Sequence, residues 1–590
     1  MPIEKPSVDV VIVGFGWTGA ITAMELVDTD LDILALERGP MQDTSQTANY
    51  PNVIDELEYS VRGKLFQDLS KETVTIRHSL AATAVPYRQH GAFLLGNGVG
   101  GAGFHWNGMS WRAFEADFRL RTHYTERYGA AFIPGDMTIQ DYPVSYAELE
   151  PYFAKWEDVA AVSGQAGNVK NHIRPIGNRW EAPRSGEYPL PALKDTYGAQ
   201  VFAKASAELG WQPFAVPAAN ASAPYTNQYG VRLGPCNFCG FCEGYGCYMY
   251  SKASPQTSIL PALRQKKNFT LKAGTQVTRV VMDSTGGMAT GVNYIDPQGQ
   301  EVFQPAKLVI LCAFQMHNVR LLLLSGIGHP YDPVTGEGVV GKNYAYHMNS
   351  SVNVRLPKNT QLNPYIGTGA AGTAIDDFNG DNFDHGPLGF IGGASVYHLR
   401  PGGRPIQQSK TFKNEPKWGK GWKASVQEGY QRILPIYAQG SVMAYRNVYL
   451  SLDPNYRDTH GQPLLRMTFD WHENEFAMIK HAIGGAQKIA RVMGGDVEVN
   501  LRESGSHFDT RAYQSTHTTG GAIMGDNPRN SVVNRYLQSW DVPNVFVMGA
   551  CVFPQNIGYN PTGLVAALTY WSVEHIKKLY LKNPAPLVQT

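Results

Sequence analysis

Val8-Asp-Val-Val-Ile-Val-Gly-Phe-Gly-Trp-Thr-Gly19, continued through an amphipathic stretch into Leu31-Asp-Ile-Leu-Ala-Leu-Glu37-Arg-Gly39, decides the fold. The run reads as strand, tight turn, helix and second strand, with Gly14, Gly16 and Gly19 in GxGxxG register. Gly14 makes the turn, Gly16 lets the backbone approach a pyrophosphate, and Gly19 lets helix and strand pack closely. The helix N-terminus offers unpaired N–H groups and a positive dipole end to the phosphates. Glu37, closing the second strand, is placed to accept hydrogen bonds from an adenosine ribose. The expected fold class is α/β, with a Rossmann-like dinucleotide-binding domain. The motif alone does not separate FAD from NAD.

Two distant segments make that separation. Gly96-Asn-Gly-Val-Gly-Gly-Ala-Gly-Phe-His-Trp-Asn-Gly108 is a second glycine-rich loop, with Gly100 and Gly101 at its centre. Phe104, His105 and Trp106 embedded in it point to a packed, cofactor-facing loop. Asn544-Val-Phe-Val-Met-Gly549-Ala550 reads as a buried strand, leading through Asn560-Pro-Thr562-Gly into a terminal helix. A last strand and helix that return to complete an N-terminal nucleotide domain are typical of FAD-binding folds.

Composition narrows the class further. Lys and Arg number 51 against 50 Asp and Glu, a net charge of +1, which excludes the basic field a nucleic-acid binder needs. The longest apolar stretches fall short of the eighteen or so residues of a spanning helix. Met1–Ser7 is short and mixed, so no Sec signal peptide is expected. The 61 Gly, 37 Pro and 31 Tyr fit a loop-rich enzyme rather than a helical bundle.

Four of the six cysteines, Cys236, Cys239, Cys242 and Cys247, fall in one compact run rich in glycine. Thiolates this close, on a backbone free to fold around them, suit an iron–sulfur cluster. A Cys₄ zinc site and disulfides are the alternatives. Zinc ribbons usually set two CxxC pairs further apart, and the chain shows no disulfide framework. The run differs from the bacterial ferredoxin pattern in its last gap and in Tyr248 where that pattern has proline. A c-type haem is argued against by Glu243 after Cys242, where CxxCH needs histidine. Cys312 and Cys551 lie in apolar strand ends and read as small buried residues.

The chain resembles the glucose–methanol–choline (GMC) oxidoreductases over nearly its whole length. Ala313-Phe-Gln-Met-His-Asn-Val-Arg-Leu-Leu-Leu-Leu-Ser-Gly-Ile-Gly328 is similar to the family's second signature, with Met316-His317-Asn318 where small residues are usual. Val340-Gly-Lys-Asn343 with His347 resembles a further conserved segment, and Val277-Thr-Arg-Val-Val281 the strand whose backbone holds the adenine. Within the family the cysteine run is similar to the flavoprotein subunits of bacterial membrane-bound sugar and sugar-acid dehydrogenases, the gluconate 2-dehydrogenase type above all.

That resemblance implies FAD, a [3Fe-4S] cluster held by three cysteines, and oxidation of D-gluconate at C2. Related enzymes acting on 2-dehydrogluconate, sorbitol, fructose or an aldose stay open, as does an oxidase using oxygen. It also implies three associations: a multihaem cytochrome c subunit, ubiquinone through that cytochrome, and a small subunit carrying a twin-arginine export signal. The implied location is the periplasmic face of the bacterial inner membrane, with membrane contact through the partner subunits.

His517 stands in a polar loop, and Asn560 opens the later Asn-Pro-Thr-Gly turn. The resemblance makes His517 the base and Asn560 its partner. The chemistry agrees: a near-neutral imidazole suits removal of a hydroxyl proton, and an amide can both donate and accept. The helix opening at Thr562 could aim its dipole at the flavin pyrimidine. His105 falls where some family members attach FAD covalently, the alternative being a hydrogen bond near the isoalloxazine, and Asn107 and Gly108 are expected to contact the flavin. The expected division is 1–110, 270–342 and 504–590 for FAD, 111–269 as an insertion carrying the cluster, and 343–503 as a substrate domain on a mainly antiparallel sheet.

Overall fold

Val8–Val13 (β1), Trp17–Leu26 (α1) and Ile33–Glu37 (β2) form the predicted strand–turn–helix–strand unit. They belong to a computed structural model that describes residues 2–43, 49–53, 55, 57–58, 65–88, 92–400, 411–512 and 515–588. β1 and β2 run parallel, Val11 beside Leu34, and are apolar because other elements cover both faces. Gly14 adopts φ +94°, and a Cβ there would stand 2.6 Å from the Cys312 carbonyl oxygen. A Cβ at Gly19 would stand 2.1 Å from the Gly14 carbonyl oxygen, so α1 can lie this close to β1 only with glycine.

Phe269–Ala273 (β3) continues the sheet beside β2. Gln276–Met282 (β4), Ala289–Ile295 (β5) and Glu301–Leu311 (β6) make an antiparallel meander. The first half of β6 pairs with β5. Its second half lies parallel between β1 and the strand Val545–Val547, with Ile310 beside Ile12 and Phe546. The resulting order is β3-β2-β1-β6-β5-β4. Gln315–Ser325 (α2) packs on β4, and the helix Thr562–Lys578 packs on α1 and on the helix Tyr146–Val159.

Met348–Arg355 (β7), Gly372–Ile375 (β8), Ala394–Leu399 (β9), Ile433–Gly440 (β10) and Asp496–Asn500 (β11) form a second, antiparallel sheet ordered β8-β9-β10-β7-β11, with Phe214–Ala215 beside β8. Glu473–Met493 (α3) covers one face of it. Phe476, Ile479, Ile483, Ala486 and Ala490 recur at helical spacing along α3 and are buried. β7 alternates to match: Val352 and Val354 are buried, while Asn349 and Ser351 face an internal cavity. In a smaller sheet Val74–Arg77 runs parallel to Pro463–Thr468, Arg77 beside Thr468. Among the described residues no helix is long and apolar enough to cross a membrane.

Candidate active site

A cavity of about 1410 Å³ opens between the two sheets. That exceeds the roughly 300–1,000 Å³ of an ordinary small-molecule site and leaves room for a dinucleotide with a sugar-sized molecule beside it. Gly14, Gly16, Glu37 and Val277 line the part nearest β1, and Gly101, His105 and Asn107 line it from the second glycine loop. Gly549, Ala550 and Thr562 close it from the C-terminal segment. A Cβ on Gly16 would meet no protein atom nearer than 3.9 Å, so the space before this glycine belongs to the cavity, where a phosphate would rest. Gly19 serves packing alone. At Gly100, whose carbonyl oxygen is the atom 3.9 Å from a Gly16 Cβ, and at Gly108, a Cβ would instead point away from the cavity and meet the Gln256 side chain at 2.2 Å and Asn220 Oδ1 at 2.4 Å respectively.

Glu37 accepts backbone N–H groups at both oxygens, from Phe15 at 2.9 Å and Gly39 at 2.8 Å. Burial raises its pKa against these two bonds, and each oxygen keeps a further lone pair for a ribose hydroxyl. Beside it lies a cluster that sequence reasoning missed: Glu72 pairs with Arg38 and, at 2.8 Å, with Arg320. Despite its burial the two guanidiniums and His317 lower Glu72 to about 2, while burial lowers His317 to about 4. Its members come from three separate segments, so no local motif could have announced them.

At the other end, His517 and Asn560 meet on the cavity wall, Asn560 Nδ2 being 3.1 Å from His517 Nε2. The neighbouring hydrogen bonds fix who donates. Trp111 Nε1 and Gln439 Nε2 both donate to Asn560 Oδ1, at 3.1 and 3.3 Å, which turns the Nδ2 amide toward His517. His347 Nε2 lies 2.6 Å from the Ile557 carbonyl, which can only accept, so this nitrogen carries the proton. His347 Nδ1 is then an acceptor, and His517 Nδ1, 3.0 Å away, must donate to it. His517 Nε2 is left unprotonated, its lone pair accepting from Asn560 Nδ2 at the cavity wall. Burial, reinforced by the neighbouring His347, holds His517 well below the ordinary imidazole range, and burial lowers His347 to about 4.

Secondary structure supplies this geometry. Tyr346 pairs with Thr518 in a two-residue antiparallel bridge, which sets His347 against His517. Trp111 stacks on Tyr559 at 4.6 Å and 7°, which orients its indole N–H. Neither Trp111 nor Gln439 was identifiable from sequence, because both act through contacts far apart in the chain. The wall opposite is built by β7, β9 and β10, with Asn349, Ser351, Tyr397 and Tyr437, and by Arg502 just past β11. Asn560 and Thr562 stand at the start of the terminal helix, whose positive end therefore faces the cavity.

The four-cysteine run abuts the same cavity. Glu243 and Gly244 line it, and Gly244 N–H donates to the His105 carbonyl at 2.7 Å. Lys252 is buried and donates to the carbonyls of Trp106, Cys242 and Tyr245 at 2.8, 2.6 and 2.7 Å, strapping the glycine loop to the cysteine loop. All six cysteines are free thiols, which removes the disulfide alternative, and Cys312 and Cys551 are buried as expected. Burial and the nearby Cys242 push Cys236 and Cys239 up to about 12, and burial also raises Cys247.

Family models described as GMC oxidoreductase match residues 142–349 and 446–569. The chain is 55% identical over 590 residues, 99% of its length and 96% of the relative's, to the gluconate 2-dehydrogenase flavoprotein of Pantoea cypripedii. It is 25% identical to the fructose dehydrogenase large subunit of Gluconobacter japonicus, over 98% of this chain and 99% of that one. Among solved structures, pyridoxine 4-oxidase from Mesorbium loti shares the fold with a TM-score of 0.60 at 17% identity, covering 97% of this chain and 99% of that one.

Proposed function

The chain belongs to the GMC oxidoreductase family, and from that premise we propose that it is an FAD-dependent dehydrogenase oxidising D-gluconate at C2 to 2-dehydro-D-gluconate. The observation that carries the chemistry is the hydrogen-bond chain from Asn560 through His517 and His347 to the Ile557 carbonyl. The choice of substrate rests on the relative at 55% identity and on the amide, hydroxyl and tyrosine side chains of the substrate wall, which suit a polyol. Arg502 adds a cation to that wall that suits an acid.

FAD bound along Gly14, Gly16, Glu37, Val277 and the 101–107 loop would supply the hydride acceptor. His517 Nε2 removes the hydroxyl proton. Asn560, with Oδ1 pinned by Trp111 and Gln439, donates through Nδ2 to His517 Nε2 before substrate binds, and its Nδ2 hydrogens pass to the substrate oxygen as the substrate hydroxyl takes that place on Nε2. His347 fixes the tautomer that leaves Nε2 basic. The positive end of the terminal helix stabilises negative charge that develops beside Thr562. The FAD, insertion and substrate divisions (1–110, 270–342 and 504–590; 111–269; 343–503) are proposed on the same reading.

Anaerobic addition of gluconate to the purified protein is expected to bleach its flavin absorbance. Sorbitol, fructose, aldoses and 2-dehydrogluconate should be at least about tenfold less effective. Bleaching by one of these in preference to gluconate would reassign the substrate, and peroxide formation without an added acceptor would make the enzyme an oxidase.

His105 lines the cavity and is buried, which supports covalent attachment of FAD through its ring. After acid precipitation the flavin is expected to stay with the wild-type chain and to be released from His105→Ala. Release from both would leave His105 a non-covalent contact.

Three of Cys236, Cys239, Cys242 and Cys247 are proposed to hold a [3Fe-4S] cluster. A single tetrahedral zinc ion needs sulfurs about 3.8 Å apart. The four thiols provide no set of three sulfurs all within 4.8 Å of one another, and the run that carries them abuts the cavity through Glu243 and Gly244. The cluster would supply one-electron transfer to a multihaem cytochrome c subunit and ubiquinone. Attachment at the periplasmic face of the inner membrane, through that cytochrome and a small subunit bearing the export signal, completes the proposal.

A further inference from the structure

We propose that His78, Asp470 and His507 form a surface site for one divalent transition-metal ion, of the Zn²⁺ class. Among the described residues these make up the one set of three His, Cys, Asp or Glu side chains whose ligand atoms all lie within 4.8 Å of one another. Two imidazoles and a carboxylate are the donors that late first-row divalent ions prefer over Mg²⁺ or Ca²⁺.

The fold builds the site from three segments. His78 follows the strand Val74–Arg77 and Asp470 follows its parallel neighbour Pro463–Thr468. Phe469 N–H extends the pairing to the Arg77 carbonyl at 3.0 Å, so the two ligands leave adjacent strand ends together. His507 arrives on the loop after β11. Its neighbour Phe508 is buried against Phe469 and Trp471, with ring centroids 5.4 and 5.5 Å away, which fixes where that loop lands.

The carboxylate is already oriented. Asp470 Oδ1 accepts the backbone N–H groups of Phe508 at 3.0 Å and Trp471 at 3.1 Å. Oδ2 is turned toward both imidazoles, 2.5 Å from His507 Nδ1 and 3.8 Å from His78 Nδ1, and the two rings stack at 4.6 Å. An ion bound tetrahedrally at about 2.0–2.1 Å sets its ligand atoms about 3.3 Å apart, and the observed separations straddle that value. The His78 and His507 side chains are 38% and 71% exposed, so they can rotate onto an ion and leave water a coordination position. Arg502 interacts with both Asp470 and Asp509, so charge around the loop is near balance and binding rests on the donor atoms.

A bound ion would tie the loop to two strand ends. That loop reaches the substrate cavity through Arg502, Glu503 and Ser506, so the ion would brace one rim of the cavity. The test is calorimetric titration of the FAD-loaded, untagged full chain with Zn²⁺. One saturable ion per chain is expected, weakened about 100-fold or more in His78→Ala and in His507→Ala. Hydrogen exchange across residues 501–512 should slow with Zn²⁺ in the wild type and not in the double variant. Retained FAD shows that the variants have folded. Equal Zn²⁺ affinity in the double variant would place the ion elsewhere, and no saturable uptake by the wild type would remove the site.

Discussion

Substituting His517 by alanine is expected to slow gluconate-dependent flavin bleaching about 10³- to 10⁴-fold, with FAD content unchanged. The magnitude follows from losing the base whose unprotonated Nε2 sits on the cavity wall, while Asn560 keeps its bonds from Trp111 and Gln439. The pH dependence supplies a second readout. The active form is neutral imidazole, so the rate is supported above the His517 pKa and lost as pH falls through it. Burial places that pKa well below the ordinary value, so in stopped-flow measurements the acid limb should lie clearly below about pH 6.5. An acid limb at or above that value, or an alanine variant that bleaches normally, would remove His517 from the reaction.

Cys242→Ser is expected to do the opposite. Bleaching by gluconate should stay within about threefold of wild type, while reduction of a cytochrome or quinone acceptor falls about 100-fold or more, because a serine oxygen is a poor substitute for a thiolate on iron. Cys242 is the one of the four that is fully buried, with Thr368 Oγ1 3.3 Å from its sulfur and Lys252 on its carbonyl. Its Cβ lies close to Gly369, which also touches Asn107 on the cavity wall, so this ligand would stand beside the flavin loop. Low-temperature EPR separates the two halves of the reaction. The air-oxidised wild type should show a signal that fades on anaerobic gluconate, and the variant should lack it. Failure of both variants at flavin bleaching would abolish the division of labour proposed here.

What was legible in the sequence is what short-range sterics dictate. Gly14 and Gly19 are required by atoms 2.6 and 2.1 Å from where a side chain would begin, and that need shows as a motif. His517 and Asn560 stood out as polar residues in glycine-rich turns. His347 was recognisable only as a neighbour of a family segment, because its link to His517 depends on a two-residue bridge between strands 170 positions apart. Trp111, Gln439 and the Glu72 cluster were invisible for the same reason: each is defined by a partner on another element. Gly100 and Gly108 look from sequence like cofactor contacts, and the structure adds a second reason for glycine there, since their bare Cα atoms accommodate Gln256 and Asn220.

The placement of Val545–Val547 against β6, and of Thr562 on the cavity wall, has a consequence for biosynthesis. β1 and its glycine turn leave the ribosome early, but the cleft they help to form stays open until residues near 562 have been made. At roughly 5–20 residues per second that interval is on the order of half a minute to two minutes. During it the apolar edge of β6 is without its last neighbour, and the nucleotide site lacks one wall. Cofactor capture therefore waits until the segment around residue 562 is in place, and a transport route that threads an unfolded chain would carry the protein empty.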